Sequence, residues 1–405
     1  MRVKIEKGTA KGEIYAPSSK SDAHRLLISA AMCEGESVID GVSPCADIEA
    51  TVRCLRALGA NIDIDGERYT VTGTDMTLSR PETALLVGES GSTARFLIPI
   101  AALSGSEVTL RAEGRLMQRP FGVFEDIFKK EGLRFEKSDE IRLKGPLRPS
   151  VFTLRGDVSS QFISGLLFAL PILKSDSVIK IIPPLESRAY IEMTLHALSK
   201  FGVRAYFEDA LTIIVPGGQK YSPKNVRAEG DYSGAAFPFA LNLFGGDVKV
   251  LGLNPHSLQS DKAYLEFYPK LDGGFAELDI SHCPDLGPVL FALAAAKHGA
   301  RITGTARLKM KESDRAAAMA EELSKFGART DIYENEVIIG NSDLHAPNEI
   351  LCSHGDHRIV MALAILLTVY GGEIDGAEAV AKSYPDFFTH LQKLGIGIQI
   401  YDDTQ

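Results

Sequence analysis

The sequence predicts an α/β protein of two lobes, each built from three repeats of one helix-plus-hairpin unit. Two observations carry this. One pattern recurs along the 405 residues, and a stretch rich in Gly, Pro and charge (PGGQKYSPKNVRAEGD) divides its copies three and three. The pattern is an amphipathic helix ending at Gly, a strand, a polar turn and a second strand. It reads LRALGANIDIDGERYTVTG, FKKEGLRFEKSDEIRLKG, LSKFGVRAYFEDALTIIV, LSKFGARTDIYENEVIIG and, cut short, LQKLGIGIQI. The glycines are Gly59, Gly132, Gly202, Gly327 and Gly395, and the degenerate copy YPKLDGGFAELDI offers Gly273 in the same role.

Each part of the unit has a physical reason. Gly after a last helical turn takes a left-handed C-cap without a Cβ penalty. Alternation such as Ile62, Ile64 or Val337, Ile339 buries one strand face. Asp65-Gly66 and Glu334-Asn335 suit hairpin turns. The N-terminal strand MRVKIEK fits either lobe. A single unit cannot bury its own apolar face, so the units must pack on one another.

Composition narrows the function. A net charge of −9 and a pI near 5.6 lack the basic footprint of a nucleic-acid binder. The five Cys, at 33, 45, 54, 283 and 352, are odd in number and form no Cys-x-x-Cys. That disfavours a disulfide framework or zinc site and fits a reducing compartment. The N-terminus has no apolar run of a secretory signal, so a cytoplasmic protein is expected. The run Ile359–Tyr370 is too short to span a bilayer and reads as a buried helix.

Four groups of segments place charge, Gly and hydroxyls where the repeat does not need them. In APSSKSDAHRLLISAA, Lys20, Ser21 and Arg25 open a helix, with Lys20 expected before its first turn. In GESGSTARFLIPIAA, Gly88, Gly91, Ser92 and Thr93 lead into a helix bearing Arg95; neither Walker A nor Gly-x-Gly-x-x-Gly is matched. EGRLMQRPFGVFEDIF follows, with Arg115 and Arg119 and with Pro120 suited to a first helical position. In GDVSSQFISGLL, Ser159, Ser160 and Gln161 precede an apolar helix, and PPLESRAYIEM offers Ser187 and Tyr190. The C-terminal group has Asp285 before an apolar helix, then Lys311, Glu312 and Arg315, then Asp356, His357 and Arg358, then Lys382.

Singly, most of these residues read as helix caps. Together, they are polar groups at helix starts in different repeats, which would make a positive site in an acidic protein. His354 and His357 are three apart, but no third spaced ligand accompanies them, so no metal site is expected.

In this order, the motifs SKS…R, GES-GST-AR, RLMQRP, GDVSSQF, ESRAY, AEGD, KESDR, GDHR and AKSYPDFF resemble the 5-enolpyruvylshikimate-3-phosphate synthase family over the whole chain. The resemblance implies the two-lobed enolpyruvyl transferase fold, an inside-out α/β barrel. Residues 1–18 plus 231–405 would form one lobe and 19–230 the other, with the active site in the cleft. It implies transfer of the enolpyruvyl group of phosphoenolpyruvate to the 5-hydroxyl of shikimate 3-phosphate. By motif match, Lys20, Ser21, Arg25, Ser159, Ser160, Gln161, Ser187, Tyr190, Asp285 and Lys311 would contact shikimate 3-phosphate. Lys20, Gly91, Arg119, Gln161, Arg315, Arg358 and Lys382 would contact phosphoenolpyruvate. Asp285 would be the base at the hydroxyl, Glu312 the proton donor to the methylene carbon, and Lys20 an aid to proton movement.

The resemblance implies no metal, no cofactor, no nucleic-acid or membrane partner, and a monomer. Glu89 and Ser92 stand where many members have Asn and Thr, and Arg307 where some have Asn. Three rivals differ in sequence. A UDP-N-acetylglucosamine enolpyruvyl transferase usually has Lys-Asn at 20–21 and Cys or Asp in the loop AEGRLMQRP. A non-catalytic repeat scaffold needs neither Asp285 nor Glu312. A P-loop phosphotransferase needs a Gly-rich Lys-Ser/Thr loop.

Overall fold

The structure, a computed structural model, describes residues 1–81 and 83–401. The chain divides into two units. One is continuous, Ser18–Glu229; the other joins Met1–Pro17 to the chain from Gly230 onward.

The continuous unit holds helices α1 (Lys20–Ala31), α2 (Ala46–Ala57), α3 (Gly91–Ala101), α4 (Gly122–Lys130), α5 (Ser160–Ala169) and α6 (Arg188–Lys200). Its three four-stranded sheets share one topology. In the second repeat, Leu85–Gly88 lies parallel to Glu107–Ala112, followed by the antiparallel hairpin strands Glu140–Lys144 and Arg134–Lys137. In the third, Val151–Arg155, Ser177–Ile182, Thr212–Val215 and Tyr206–Phe207 take the same places. The repeat is therefore larger than the sequence suggested. In these two repeats a strand–helix–strand crossover precedes the helix and hairpin, as parallel strands require.

The first repeat draws its outer strand from the far end of the unit, where Val226–Arg227 pairs parallel with Ile39 and Asp40. This corrects the expectation for residues 216–231. Most of that stretch is not a free connection but part of this unit. Tyr221 is buried there and its hydroxyl donates to the Phe168 carbonyl at 2.8 Å.

α3 and α5 are buried on nearly all sides, which explains their lack of a polar face. They approach closely because Gly165 has no Cβ; one there would stand 2.3 Å from the Arg95 carbonyl oxygen. At the other end of these helices a second device repeats. Thr74 N–H donates to the Ala31 carbonyl and Leu147 N–H to the Ala102 carbonyl, each pinning the chain that leaves a hairpin onto the end of α1 or α3. Past α5, Gly218 N–H does the same to Leu173. Gly73, Gly145 and Gly217 sit in these links, where a Cβ would strike backbone oxygens at 2.0 to 2.3 Å.

The other unit holds α7 (Tyr232–Ala240), α8 (Tyr264–Gly273), α9 (Gly287–Ala296), α10 (Arg315–Ser324), α11 (His357–Tyr370) and α12 (Phe387–Lys393). Ala276–Asp279, Ala300–Thr303, Glu336–Ile339 and Thr330–Ile332 repeat the four-stranded topology. The N-terminal strand Arg2–Ile5 belongs to this unit. It lies between Gly372–Asp375 and Ile398–Tyr401, antiparallel to both, and replaces the missing half of the last hairpin. Lys11–Tyr15 pairs parallel with Asp247–Leu251.

Gly59, Gly132, Gly202, Gly327 and Gly395 all have positive φ after their helices. Gly273 does not. It is the last residue of α8, Gly274 carries the positive φ, and the chain enters strand Ala276–Asp279 with no hairpin. The run Ile359–Tyr370 is the buried body of α11. Among the described residues no helix is long and apolar enough to cross a membrane.

Candidate active site

In the continuous unit the candidate residues gather at the N-terminal ends of α1, α3, α5 and α6. Ser19 caps α1 by accepting from Asp22 N–H, so Lys20 is the first helical residue rather than one before it. Its ammonium meets Asp47 of α2 at 2.7 Å.

One turn on, Arg25 is only 2% exposed. Its guanidinium donates to Thr194 Oγ1 and to the carbonyls of Tyr190 and Ser21, and stacks 6.0 Å from the Tyr190 ring. Among the described residues it makes no ion pair, and burial pulls its pKa down to about 10. A buried cation held only by neutral acceptors is a strong site for an incoming anion.

A second cluster surrounds Gly91, the first residue of α3 after the capping Ser90. A Cβ on Gly91 would stand 3.1 Å from Arg95 Nη1, 3.2 Å from Arg119 Nη1 and 3.6 Å from Gln161 Oε1. Gln161 is fixed by accepting from Arg95 at 2.6 Å and donating to Ser92 at 2.9 Å. Ser159 is the cap of α5 and Ser160 its first residue. Ser187 precedes α6 with φ 54° and makes no side-chain cap bond. Arg119 follows a short 3-10 turn instead of starting a helix, and Pro120 precedes the cap of α4.

Behind these groups runs a chain of hydroxyls. His24 Nδ1 meets Thr51 Oγ1 at 2.8 Å, Thr51 meets Thr93 at 2.7 Å, and Thr93 donates to Ser90 at 2.8 Å. It ties α1, α2 and α3 together. His24 is fully buried, and burial holds its pKa down to about 3, with Lys20 and Arg25 pushing the same way and Asp47 opposing. The native imidazole therefore stays neutral where the unfolded one charges. Its stabilisation is complete above pH 6.5 and is lost as pH falls towards 3, at up to about 1.4 kcal/mol per pH unit. Urea unfolding at pH 5 and pH 7 should show a drop of about 2 kcal/mol from this group, absent in His24→Asn. An unchanged pH slope in that variant would rule the assignment out.

In the other unit the six candidates form one network around Arg315, which is 1% exposed. Its Nη1 reaches Asp285 Oδ1 at 2.7 Å, its Nη2 reaches Glu312 Oε2 at 2.8 Å, and its Nε reaches Asp356 Oδ2 at 2.8 Å. Asp285 also meets Lys311 at 3.1 Å and Arg358 at 3.3 Å, and Lys382 lies 3.7 Å from Glu312. Asp285 precedes α9 but does not cap it; its carboxylate is given to cations. Burial alone would raise its pKa, but Arg358, Lys311 and Arg315 outweigh this and hold it well below the usual carboxylate range. Burial lowers the Lys311 ammonium, against the pull of Asp285. Lys382 ends a 3-10 turn and starts no helix.

Three residues absent from the expected site complete these clusters: Asp47, Arg95 and Asp356. Asp356 caps α11, accepting from Arg358 N–H while holding Arg315 and Ser313 Oγ. Glu89 turns to the next loop, where it accepts from Arg115 N–H at 3.1 Å. Arg307 donates to the Ser281 carbonyl. Glu321, Glu322 and His354 bring three ligand-capable atoms within 4.8 Å, but Lys325 already places its ammonium 3.0 Å from both Glu322 oxygens. His357 is not in that group.

One unit thus gathers Lys, Arg and Gln side chains at helix starts, and the other sets two carboxylates on one guanidinium. Solved structures share the fold. One is an EPSP synthase from Acinetobacter baumannii, 22% identical with a TM-score of 0.79, covering 98% of this chain and 100% of that one. Another is an enolpyruvyl transferase from Streptomyces tendae, 16% identical with a TM-score of 0.80 and 98% of each chain covered. The fold is therefore that of the enolpyruvyl transferases. The sequence matches the family described as EPSP synthase (3-phosphoshikimate 1-carboxyvinyltransferase) over residues 5–272 and 269–391. It is similar to curated proteins named 3-phosphoshikimate 1-carboxyvinyltransferase, 38% identical in Clostridium kluyveri and 37% in Clostridium novyi, over 97% of each chain. The chain belongs to the EPSP synthase family.

Proposed function

We propose that this chain transfers the enolpyruvyl group of phosphoenolpyruvate to the 5-hydroxyl of shikimate 3-phosphate, releasing phosphate, in the biosynthesis of aromatic compounds. The observation that supports it most is the grip of Arg315 on both Asp285 and Glu312, which sets two carboxylates of different duty side by side. Glu312 gives a proton to the methylene carbon, and the neighbouring carbon, now positive, is attacked by the 5-hydroxyl as Asp285 takes the hydroxyl proton. Glu312, now a carboxylate, takes a proton back from the new methyl group as the carbon–oxygen bond to phosphate breaks, and phosphate leaves.

With three cations on it Asp285 is a weak base. Phosphate and carboxylate groups that draw Lys311, Arg315 and Arg358 to themselves would raise its basicity when substrate is present. Arg25, with Ser21, Ser159, Ser160, Ser187 and Tyr190, takes shikimate 3-phosphate, and Lys311 reaches it too. Lys20, Gly91, Arg119, Gln161, Arg315, Arg358 and Lys382 take phosphoenolpyruvate. Arg suits both because its fork grips carboxylate or phosphate by two bonds. We propose further that the enzyme works as a monomer, in the cytoplasm, without metal or organic cofactor.

Phosphate release with phosphoenolpyruvate and shikimate 3-phosphate tests the activity, with UDP-N-acetylglucosamine as the alternative acceptor. No release with shikimate 3-phosphate, or release only with the nucleotide sugar, would sink it. The geometry at Gly91 gives a sharper check. A methyl group there crowds Arg95 and Arg119, so Gly91→Ala should raise KM for phosphoenolpyruvate about tenfold or more and leave KM for shikimate 3-phosphate within about twofold. Equal changes in both constants would put Gly91 elsewhere.

A further inference from the structure

The geometry points to a second small-molecule site, for an aromatic anion, at the pole of the Ser18–Glu229 unit where α1, α3 and α5 end. A cavity of about 880 Å³ opens there, within the usual size of ligand pockets. The candidate active-site residues of this unit sit at the opposite ends of the same helices, about 15 Å away along a helix of this length.

All three repeats build the cavity. Each sends to it the end of a central helix and the chain that leaves a hairpin: Met32 and Met76 from the first repeat, Leu103 and Leu147 from the second, Ile172 and Tyr221 from the third. These leaving segments are the ones pinned by Thr74, Leu147 and Gly218 N–H groups. The walls are thus preformed rather than assembled on binding, which lowers the entropy cost of filling them. The pinning also satisfies helix-end carbonyls that would otherwise repel an anion.

The lining is apolar at its floor and charged at its rim. Arg148, Lys174 and Lys220 line it and make no ion pair among the described residues. Two acids, Glu34 and Asp75, stand against these three cations, and the Asp75 carboxylate already accepts from the N–H and hydroxyl of Thr77 at 2.9 and 2.7 Å, so the lining keeps a surplus of one positive charge. Apolar walls with surplus positive charge fit a flat ring system carrying one carboxylate or sulfonate.

The test is fluorescence titration with 8-anilinonaphthalene-1-sulfonate and with its uncharged relative N-phenyl-1-naphthylamine. One saturable site is expected for each, not displaced by shikimate 3-phosphate. Ile172→Trp, which puts an indole ring into the cavity wall, should weaken both about tenfold or more. The double change Arg148→Glu with Lys174→Glu should weaken the sulfonate about tenfold, which is about 1.4 kcal/mol, and leave the neutral compound within about twofold. Displacement by shikimate 3-phosphate, binding left unchanged by Ile172→Trp, or equal loss of both compounds on charge reversal would overturn the assignment. Melting curves identify any variant that fails to fold; the surface charge pair then decides alone.

Discussion

Glu312→Gln is expected to bind both substrates and turn them over roughly 10²- to 10⁴-fold more slowly, the usual contribution of a general acid. The amide oxygen can still accept from Arg315 Nη2, now 2.8 Å from Glu312 Oε2, so the network should survive and the loss should fall on kcat. Steady-state rates of phosphate release measure it, and a near-normal kcat would remove Glu312 as proton donor. Lys20→Met should lose about 10²-fold or more as well, as preorganised charges do. It strands the carboxylate of Asp47, so its stability should fall too. Adding Asp47→Asn should restore the stability and not the rate. Recovery of the rate would make Lys20 a structural partner only.

Arg315→Met is expected to lower stability by about 3–5 kcal/mol, the cost of leaving buried carboxylates without their cation. Asp356 suffers most, because it is fully buried and receives Arg315 Nε at 2.8 Å. In a unit of this size that loss lowers Tm by about 10 °C, readable by calorimetry. Arg315→Lys keeps the charge but not the planar fork that meets three carboxylates at once, so it should recover stability partly and activity hardly at all. A Tm within a degree of wild type for Arg315→Met would mean that the network holds nothing together.

The difference between these two predictions follows what was legible in the sequence. Charged residues beside apolar helix starts drew attention to Lys20, Asp285, Glu312, Arg315 and Arg358, because composition alone does not put them there. Asp47 stood out in no way, and Arg95 and Asp356 were among the charged helix starts without a role in the expected site. An acidic residue in a first helical turn has an ordinary dipole role, and a lone Arg inside a helix has an ordinary surface one. Only the fold shows that Asp47 meets a lysine 27 positions away and that Arg95 holds Gln161 66 positions on.

The repeats behaved similarly. Helix-ending glycines were legible because αL backbone selects Gly. The short strands before each crossover helix, such as Leu85–Gly88 and Leu351–Cys352, carry too few residues to show alternation. Gly273 matched the pattern of letters but not the geometry, because its helix runs straight into the next strand. One signal was present and unread. Gly73, Gly145 and Gly217 recur every 72 residues, and their constraint is steric contact with a distant carbonyl, which no local propensity reveals.

The place of Arg2–Ile5 in the middle of its sheet bears on how the protein is made. Its partner Ile398–Tyr401 is synthesised about 390 residues later, roughly 20–80 s at common translation rates. For that time Val3 and Ile5, buried in the finished sheet, stay in water. The inserted unit needs nothing beyond Glu229, so it can close while the ribosome is still reading the rest. Synthesis thus lets the continuous unit close first, while the split unit waits for its own two ends.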